Sequence, residues 1–468
     1  MEGFVSRALL FIGCLLFAFE ANAVKVQVTS QTFGDGYQLV TADDGLLNRR
    51  RMHQYLRLAA FDLTSDGSYK LNLVTLMRFD TDLGLKQSEL DRVSGLKQHQ
   101  FSLQTAYLEG RNYFGFFSFK LGRILHWDAL DFMMMDGASV RFKTPWYFAV
   151  ELLGGLESRN FTNPITSSQF ELDGVRVFDS DTDDRPSFIV GASIMTADLL
   201  FTKVKLAYRR MFSGGTMMDD ATGQMIETGM KIDQEKVGIA AFQNIFKKLM
   251  FSGVLSYDLY NARVDRGIAK LRWIITPAWD LDVQYVHLIP TFDADSIFNI
   301  FSIHPLNDLN TRVRFHLSKR SRIYAGGMVR FFGNEPPDLA NDDPVDTSVK
   351  AFGAMAGYYH SWGHKGRLSV DFSYEGGFGG TRILGDVMGM WAPLPQKFQI
   401  DGRVTAVYFD EDLLPNLNAL SFGYQLGVKY FIKKLAAISL MAEHNFSRIH
   451  KQQFRLLAIV DFNVWVGK

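Results

Sequence analysis

The chain has 468 residues, with 50 Lys and Arg balancing 50 Asp and Glu, so it lacks the basic excess of a nucleic-acid binder. It is 47% hydrophobic and 14% aromatic, yet past the N-terminus it has no apolar run of the roughly 18 residues that a transmembrane helix needs. Its single cysteine, Cys14, excludes a disulfide framework, a thiolate metal centre and a cysteine nucleophile from any mature domain.

Residues 1–23 read as a cleaved signal peptide. Arg7 supplies the positive charge, Ala8 to Phe19 form a short apolar segment, and Ala21-Asn22-Ala23 is a small-x-small pattern that places the cut after Ala23. Residues 24–468 are then a single exported domain with no linker and no low-complexity tract.

The organising signal beyond residue 23 is alternation with period two. In Thr202 to Arg209 the even positions are Thr, Val, Leu and Tyr, while the odd ones include Lys203, Lys205 and Arg209. Leu309 to Leu317, Arg367 to Tyr374 and Ser421 to Tyr430 follow the same rule. Each reads as a strand with one apolar and one wet face. In chain order the strands are expected near 36–42, 52–63, 69–80, 99–109, 113–122, 137–143, 146–153, 187–195, 199–210, 232–243 and 248–259. They continue near 267–276, 281–289, 309–318, 322–332, 349–360, 366–376, 382–391, 397–409, 420–431, 435–446 and 453–466. The pattern is weakest at 36–42, 137–143 and 382–391.

A soluble sandwich also alternates, but the connections here are short and long in turn. Thr276-Pro277-Ala278, Ser318 to Ser321 and Ile432-Lys433-Lys434 are short, whereas 81–98, 154–185, 212–230, 290–307 and 333–347 are long. Aromatic residues fall near strand ends, as at Phe251, Phe315, Tyr374 and Tyr430. Both traits fit an outer-membrane barrel with short periplasmic turns, long outer loops and aromatic girdles. The expected fold is all-β, a single closed antiparallel transmembrane β-barrel of 18–22 strands, with 22 the best count. Many such barrels end on an aromatic residue that the assembly machinery reads; here Trp465 precedes Val466-Gly467-Lys468.

Phe117 to Arg123, ending in Gly122-Arg123, and Met135 to Phe142, opening with Asp136-Gly137-Ala138, together resemble the alginate-export and related substrate-specific porin families. The likeness covers about 35 residues; Ile124-Leu125 stands where those families often have Gln. The resemblance implies a single-chain channel with a lumen lined by charged side chains.

If the apolar faces meet lipid, the alternating partners line the lumen: Lys120, Lys203, Lys205, Arg209, Lys270, Arg272, Arg312, Arg314, Arg330 and Arg403, with Asp282, Asp371, Asp401 and Glu443. On the lipid face an Arg or Lys would cost roughly 2–4 kcal/mol at mid-depth. Two readings of this wall stand side by side: a basic ring that selects anions, and a neutral network of cross-lumen ion pairs that only keeps the pore wet. A lumen plugged by loops is a third. Asp179 to Asp184 and Asn341 to Pro344 read as solvated acidic loops, since the first lacks the Gly and Glu of a Ca²⁺ loop.

No catalytic residue, metal ligand or cofactor is expected: the chain has no Gly-x-Ser-x-Gly and no His-Glu-x-x-His. The function expected is a porin-like channel in the outer membrane of a Gram-negative bacterium, passing small hydrophilic solutes with anions as a candidate class. The alternative is a structural or assembly barrel that anchors or sheathes periplasmic partners of an envelope complex. The expected partners are outer-membrane lipid and lipopolysaccharide, the barrel-assembly machinery, small solutes and, under the alternative, envelope-complex proteins.

Overall fold

The computed structural model describes residues 24–466 apart from 41–45, 65–69, 85–97, 159–186, 198, 200, 219–224, 290–305, 333–349, 378–379, 411–418, 434 and 449–450. The signal-peptide segment and both acidic loops lie outside the described residues. Twenty-two strands form one sheet. They are β1 (Lys25–Val40), β2 (Leu46–Phe61), β3 (Lys70–Asp82), β4 (His99–Tyr113), β5 (Phe117–Trp127), β6 (Phe132–Lys143), β7 (Phe148–Glu157) and β8 (Phe188–Thr196). Next come β9 (Thr202–Met218), β10 (Met225–Ile245), β11 (Leu249–Asp258), β12 (Arg263–Thr276), β13 (Trp279–Leu288), β14 (Leu306–His316) and β15 (Ser321–Phe332). The last are β16 (Lys350–Ser361), β17 (Gly366–Gly377), β18 (Thr381–Leu394), β19 (Phe398–Asp410), β20 (Ala419–Ile432), β21 (Ala436–Phe446) and β22 (Gln453–Val466). Every strand pairs antiparallel with its sequence neighbours, and β1 pairs with β22 from Val26↔Val466 to Leu39↔Gln453, which closes the barrel.

Closure leaves no edge strand, so the backbone groups of the wall are paired within it except beside the β5–β6 tip, where β5 parts from β4 beyond Arg123. That is the condition for strands to stand in hydrocarbon. The side chains follow the pleat. Leu206, Phe372 and Leu426 point outward and are 47, 51 and 57% exposed, an inversion of a soluble core that suits lipid contact. Aromatics frame this belt at both ends: Trp279 and Phe315 lie 4.5 Å apart near one rim, Phe352 and Tyr374 6.1 Å apart near the other.

The two rims differ. One carries the short turns that precede β5, β7, β11, β13, β15, β17, β19 and β21, with the 62–69 and 197–201 connections before β3 and β9, and is termed the turn rim. The other, the loop rim, carries the long connections 83–98, 158–187, 289–305 and 333–349 beside short ones such as 259–262 and 378–380. Two sequence expectations are corrected by register. Residues 212–230 are not a long loop, because β9 runs on to Met218 and β10 starts at Met225, leaving 219–224 as the connection. The alternation there is broken by register shifts at Thr228/Lys231 and Ile232/Gln234, which hide the strands from a strict period. The first strand starts at Lys25, not near 36, because Ser30, Thr32 and Gly34 interrupt its apolar face and weaken the pattern.

Replacing Phe372, mid-depth on the outer face, by Arg is expected to destabilise the barrel in bilayers by about 2–4 kcal/mol, measured by urea unfolding in liposomes. The same change at its inward neighbour Ser373 is expected to cost far less.

Candidate functional site

The segment that breaks the cylinder is the tip of the β5–β6 hairpin. The two strands pair with each other from Phe117↔Phe142 to Trp127↔Phe132. Beyond Arg123, however, β5 has left β4, and β6 joins β7 only from Met135 onward. Three glycines make the departure possible. Gly122 has φ 121°, and a methyl on it would stand 2.2 Å from the Ala106 carbonyl. A methyl on Gly137 would stand 2.2 Å from the Gly154 carbonyl and 2.5 Å from Gly155 Cα. Only backbone fits there. Arg123 then fills the gap left in the wall: its Nε and Nη2 each donate to Asp136 at 2.7 Å, and its Nη1 donates to the Leu103 carbonyl at 2.8 Å. Its side chain is only 4% exposed.

Freed from its neighbours, the tip folds inward over β7 to β10. Ile124, Met133 and Met135 pack on Ile189 of β8 and Met211 of β9. At the turn, Leu130 seats against Ala207 and Ala240, over Gly238, where a methyl would come within 2.6 Å of Leu130 Cδ2. Arg209 of β9 holds Asp131 at 2.6 Å, and Arg266 of β12 donates to the Ala129 carbonyl at 3.1 Å. A contact from β5–β6 to β12 crosses the barrel interior, which identifies the face bearing Arg209 and Arg266 as the inner one. The turn closes on itself through Asp128, which accepts the Leu130 N–H at 2.7 Å. Burial opposes ionisation of Asp128, but His126, the Leu130 N–H and the Arg209 charge together outweigh it and hold the carboxyl below its usual range. The other face of the tip carries Leu125, Trp127 and Phe132, 50, 73 and 62% exposed, with the two rings stacked 5.9 Å apart.

Below the tip, toward the turn rim, the inner wall forms a recess of about 600 Å³. Register builds it in rows across β9 to β12. One row is Lys203, Phe242, Ser252 and Lys270; the next is Lys205, Ala240, Val254 and Ile268. Arg141, Met195 and Leu199 complete the lining. Lys205 pairs with Glu151 at 3.4 Å. Arg141, Lys203 and Lys270 have no ion-pair partner among the described residues.

The other expected wall residues share this inner face by register, and most are neutralised. Lys120 meets Glu109 at 3.8 Å, Arg272 lies 3.5 Å from Asp280 and 3.9 Å from Asp282, and Arg403 meets Asp386 at 2.7 Å. Arg314 bridges Asp280 and Asp282, while Arg330 holds Asp308 at 3.0 Å and Glu375 at 2.6 Å. Arg312 lies over the Tyr324 ring at 4.7 Å. Asp371 accepts from the Tyr324 and Ser369 hydroxyls, Asp401 from Gln399 at 2.8 Å, and Glu443 from Asn445 at 2.5 Å. The fourteen residues do not form one ring. Lys203, Lys205 and Lys270 meet at the recess, Arg272, Asp282, Arg312 and Arg314 form a second group on β12 to β14, and Asp401, Arg403 and Glu443 lie on β19 to β21.

Sequence reading missed the tip itself, and with it Asp128, Asp131, Arg141, Glu151 and Arg266. A signal was present. Residues 124–135 place apolar side chains at both odd and even positions, interrupted only by His126, Asp128 and Asp131, which neither a lipid-facing strand nor a solvated loop requires. The Gly122-Arg123 and Asp136-Gly137 pairs noted for their family resemblance turn out to be the bend and its clamp. The β5–β6 boundaries were also misplaced, at 113–122 and 137–143, because residues 124–135 lack alternation.

No protein-family model and no curated protein matches the chain. Among solved structures it is similar in outline to the outer-membrane protein OpdK of Pseudomonas aeruginosa, crystallised with vanillate, at 8% identity over 95% of this chain and 99% of that one, TM-score 0.43. It is likewise similar to OccAB4 of Acinetobacter baumannii, at 5% identity over 96% and 99%, TM-score 0.44. The P pilus usher translocation pore, PapC, gives 6% identity over 94% and 99%, TM-score 0.47.

Asp136→Ala is expected to cost about 3–5 kcal/mol in urea unfolding, because it leaves the Arg123 guanidinium buried without its carboxylate. Leu130→Ala should cost less than a full core truncation of about 2–5 kcal/mol, since the tip can lift from its seat. The lowered Asp128 carboxyl contributes stability that is complete above the ordinary carboxylate range and is lost as pH falls through its folded value. The Asp128 contribution should therefore show as a rise in protease accessibility of the tip in acid, below the ordinary aspartate value near 4.

Proposed function

We propose that this chain is an outer-membrane channel that passes small hydrophilic solutes and favours anions. The observation that carries the reading is the uneven balance of the inner wall. Ion pairs neutralise most of it, while Arg141, Lys203 and Lys270 stay uncompensated around the recess beneath the tip. A paired wall keeps a wide barrel hydrated without strong selectivity; three local cations in a partly enclosed recess concentrate anions beneath the inward-folded tip. The apolar residues between them, Phe242, Val254 and Ile268, suit an anion with an apolar part. Barrels of this strand number enclose a lumen wide enough to need an internal constriction. The β5–β6 tip supplies one without a separate plug domain among the described residues.

Planar-bilayer recording of the purified barrel is expected to show discrete steps with anion-selective reversal potentials. Removing residues 124–135 behind a Gly-Gly join should raise the conductance several-fold. Lys203→Glu with Lys270→Glu should move the reversal potential toward cations, while Arg314→Glu, which breaks an already neutral cluster, should change it less. A folded barrel without any conductance would favour the structural alternative.

A further inference from the structure

The turn rim carries two features that conduction does not use. The first is a set of aromatic turn tips. Phe114, Tyr147 and Phe246 are 86, 60 and 91% exposed and have φ values of 54°, 65° and 53°. That left-handed region is the province of Gly and Asn, and a bulky ring there is strained. Strain accepted at three turns of one rim points to a task for the rings. They also continue the lipid-facing belt. Phe114 lies 6.3 Å from Phe116, and Trp146, 70% exposed and next to Tyr147, lies 6.3 Å from Phe148 on the outer face.

The second feature is charge. The six turns from β10–β11 to β20–β21 carry Lys247, Lys248, Lys319, Arg320, Lys365, Lys397, Lys433 and Lys434, with no Asp or Glu among them. Lys434 lies outside the described residues; none of the other seven has an ion-pair partner among the described residues. Several of the opposite connections carry paired acids instead, Asp43-Asp44, Asp219-Asp220, Asp342-Asp343 and Glu411-Asp412.

We propose that the turn rim is a collar that binds anionic phospholipid headgroups, with the aromatic tips seated at the headgroup–acyl boundary and the lysines on the phosphodiesters. Rings of this kind favour the membrane interface, long cationic side chains reach out from an apolar surface to headgroups, and a negative leaflet attracts them. The distribution selects a leaflet over a soluble partner. The aromatic and basic turns are spread from β4–β5 round to β20–β21, most of the circumference, and a flat lipid surface meets all of them at once, whereas a globular partner meets only a sector. This collar rests on the membrane placement proposed above.

The full-length barrel, reconstituted in nanodiscs of phosphatidylcholine mixed with phosphatidylglycerol and then released, should retain phosphatidylglycerol about tenfold over its bulk share by mass spectrometry, with the excess falling as salt rises. A variant with Lys247, Lys248, Lys319, Arg320, Lys365 and Lys397 changed to Gln should retain both lipids in bulk proportion. Absence of enrichment in the native chain, or its survival in that variant or in high salt, would overturn the collar. Heat-modifiable gel mobility reports whether the variant is folded; if it is not, the salt series on the native chain decides. A barrel that enters neither bilayer would overturn the membrane placement itself and the collar with it. Phe114→Gly, Tyr147→Gly and Phe246→Gly together should resist urea at least as well as the native chain in detergent and less well in bilayers. A gain in both would remove the aromatic half of the proposal.

Discussion

The constraint on which the structure depends is that no strand can present an unpaired backbone edge to hydrocarbon. An orphaned amide costs several kcal/mol in that setting, so a sheet must close or stay out. The β1–β22 ladder, fourteen register pairs from Val26↔Val466 to Leu39↔Gln453, meets that demand. Alternation then follows from the pleat: once the wall is closed, each strand has one face for lipid and one for water. Polar side chains that would burden a soluble core become the lining of the barrel.

Such a lining carries its own electrostatic demand. A wide lumen faced with unpaired charge would repel itself, and the inner wall answers mainly with cross-strand ion pairs. Arg272, Arg314, Asp280 and Asp282 form one such cluster, and Lys236 with Asp265 at 2.7 Å forms another that is almost wholly buried. Against that neutral background three uncompensated cations at one recess are distinctive. In a network where pairing is the rule, the unpaired group is the one available to a solute.

The β5–β6 tip departs from the wall at a definite chemical cost. Leaving β4 forfeits ladder hydrogen bonds, and the Arg123 guanidinium replaces part of that loss by donating to the Leu103 carbonyl and to Asp136. The glycines at 122, 137 and 155 let two backbones touch where side chains would hold them apart. The tip regains stability by burying Leu130, Ile124, Met133 and Met135 on the inner wall. It is a small hydrophobic core inside a polar lumen, and that is why the same residues look out of place in a strand pattern.

The sequence by itself determined the architecture. Period-two alternation with short and long connections is enough to call for a closed barrel, and each of the 22 expected strands has a counterpart, including the weakly patterned ones at β1, β6 and β18. It also placed Lys203, Lys270 and Arg314 on one face, because the pleat is a local rule. What it left undecided was everything set by register between distant strands. Whether Arg314 faces Asp280 or open water depends on how β13 slides against β14. That Leu130 rests on Gly238 depends on a hairpin crossing from β5–β6 to β10, more than a hundred residues away in the chain. Local pattern encodes which way a side chain points; only the closed tertiary structure decides what it meets there.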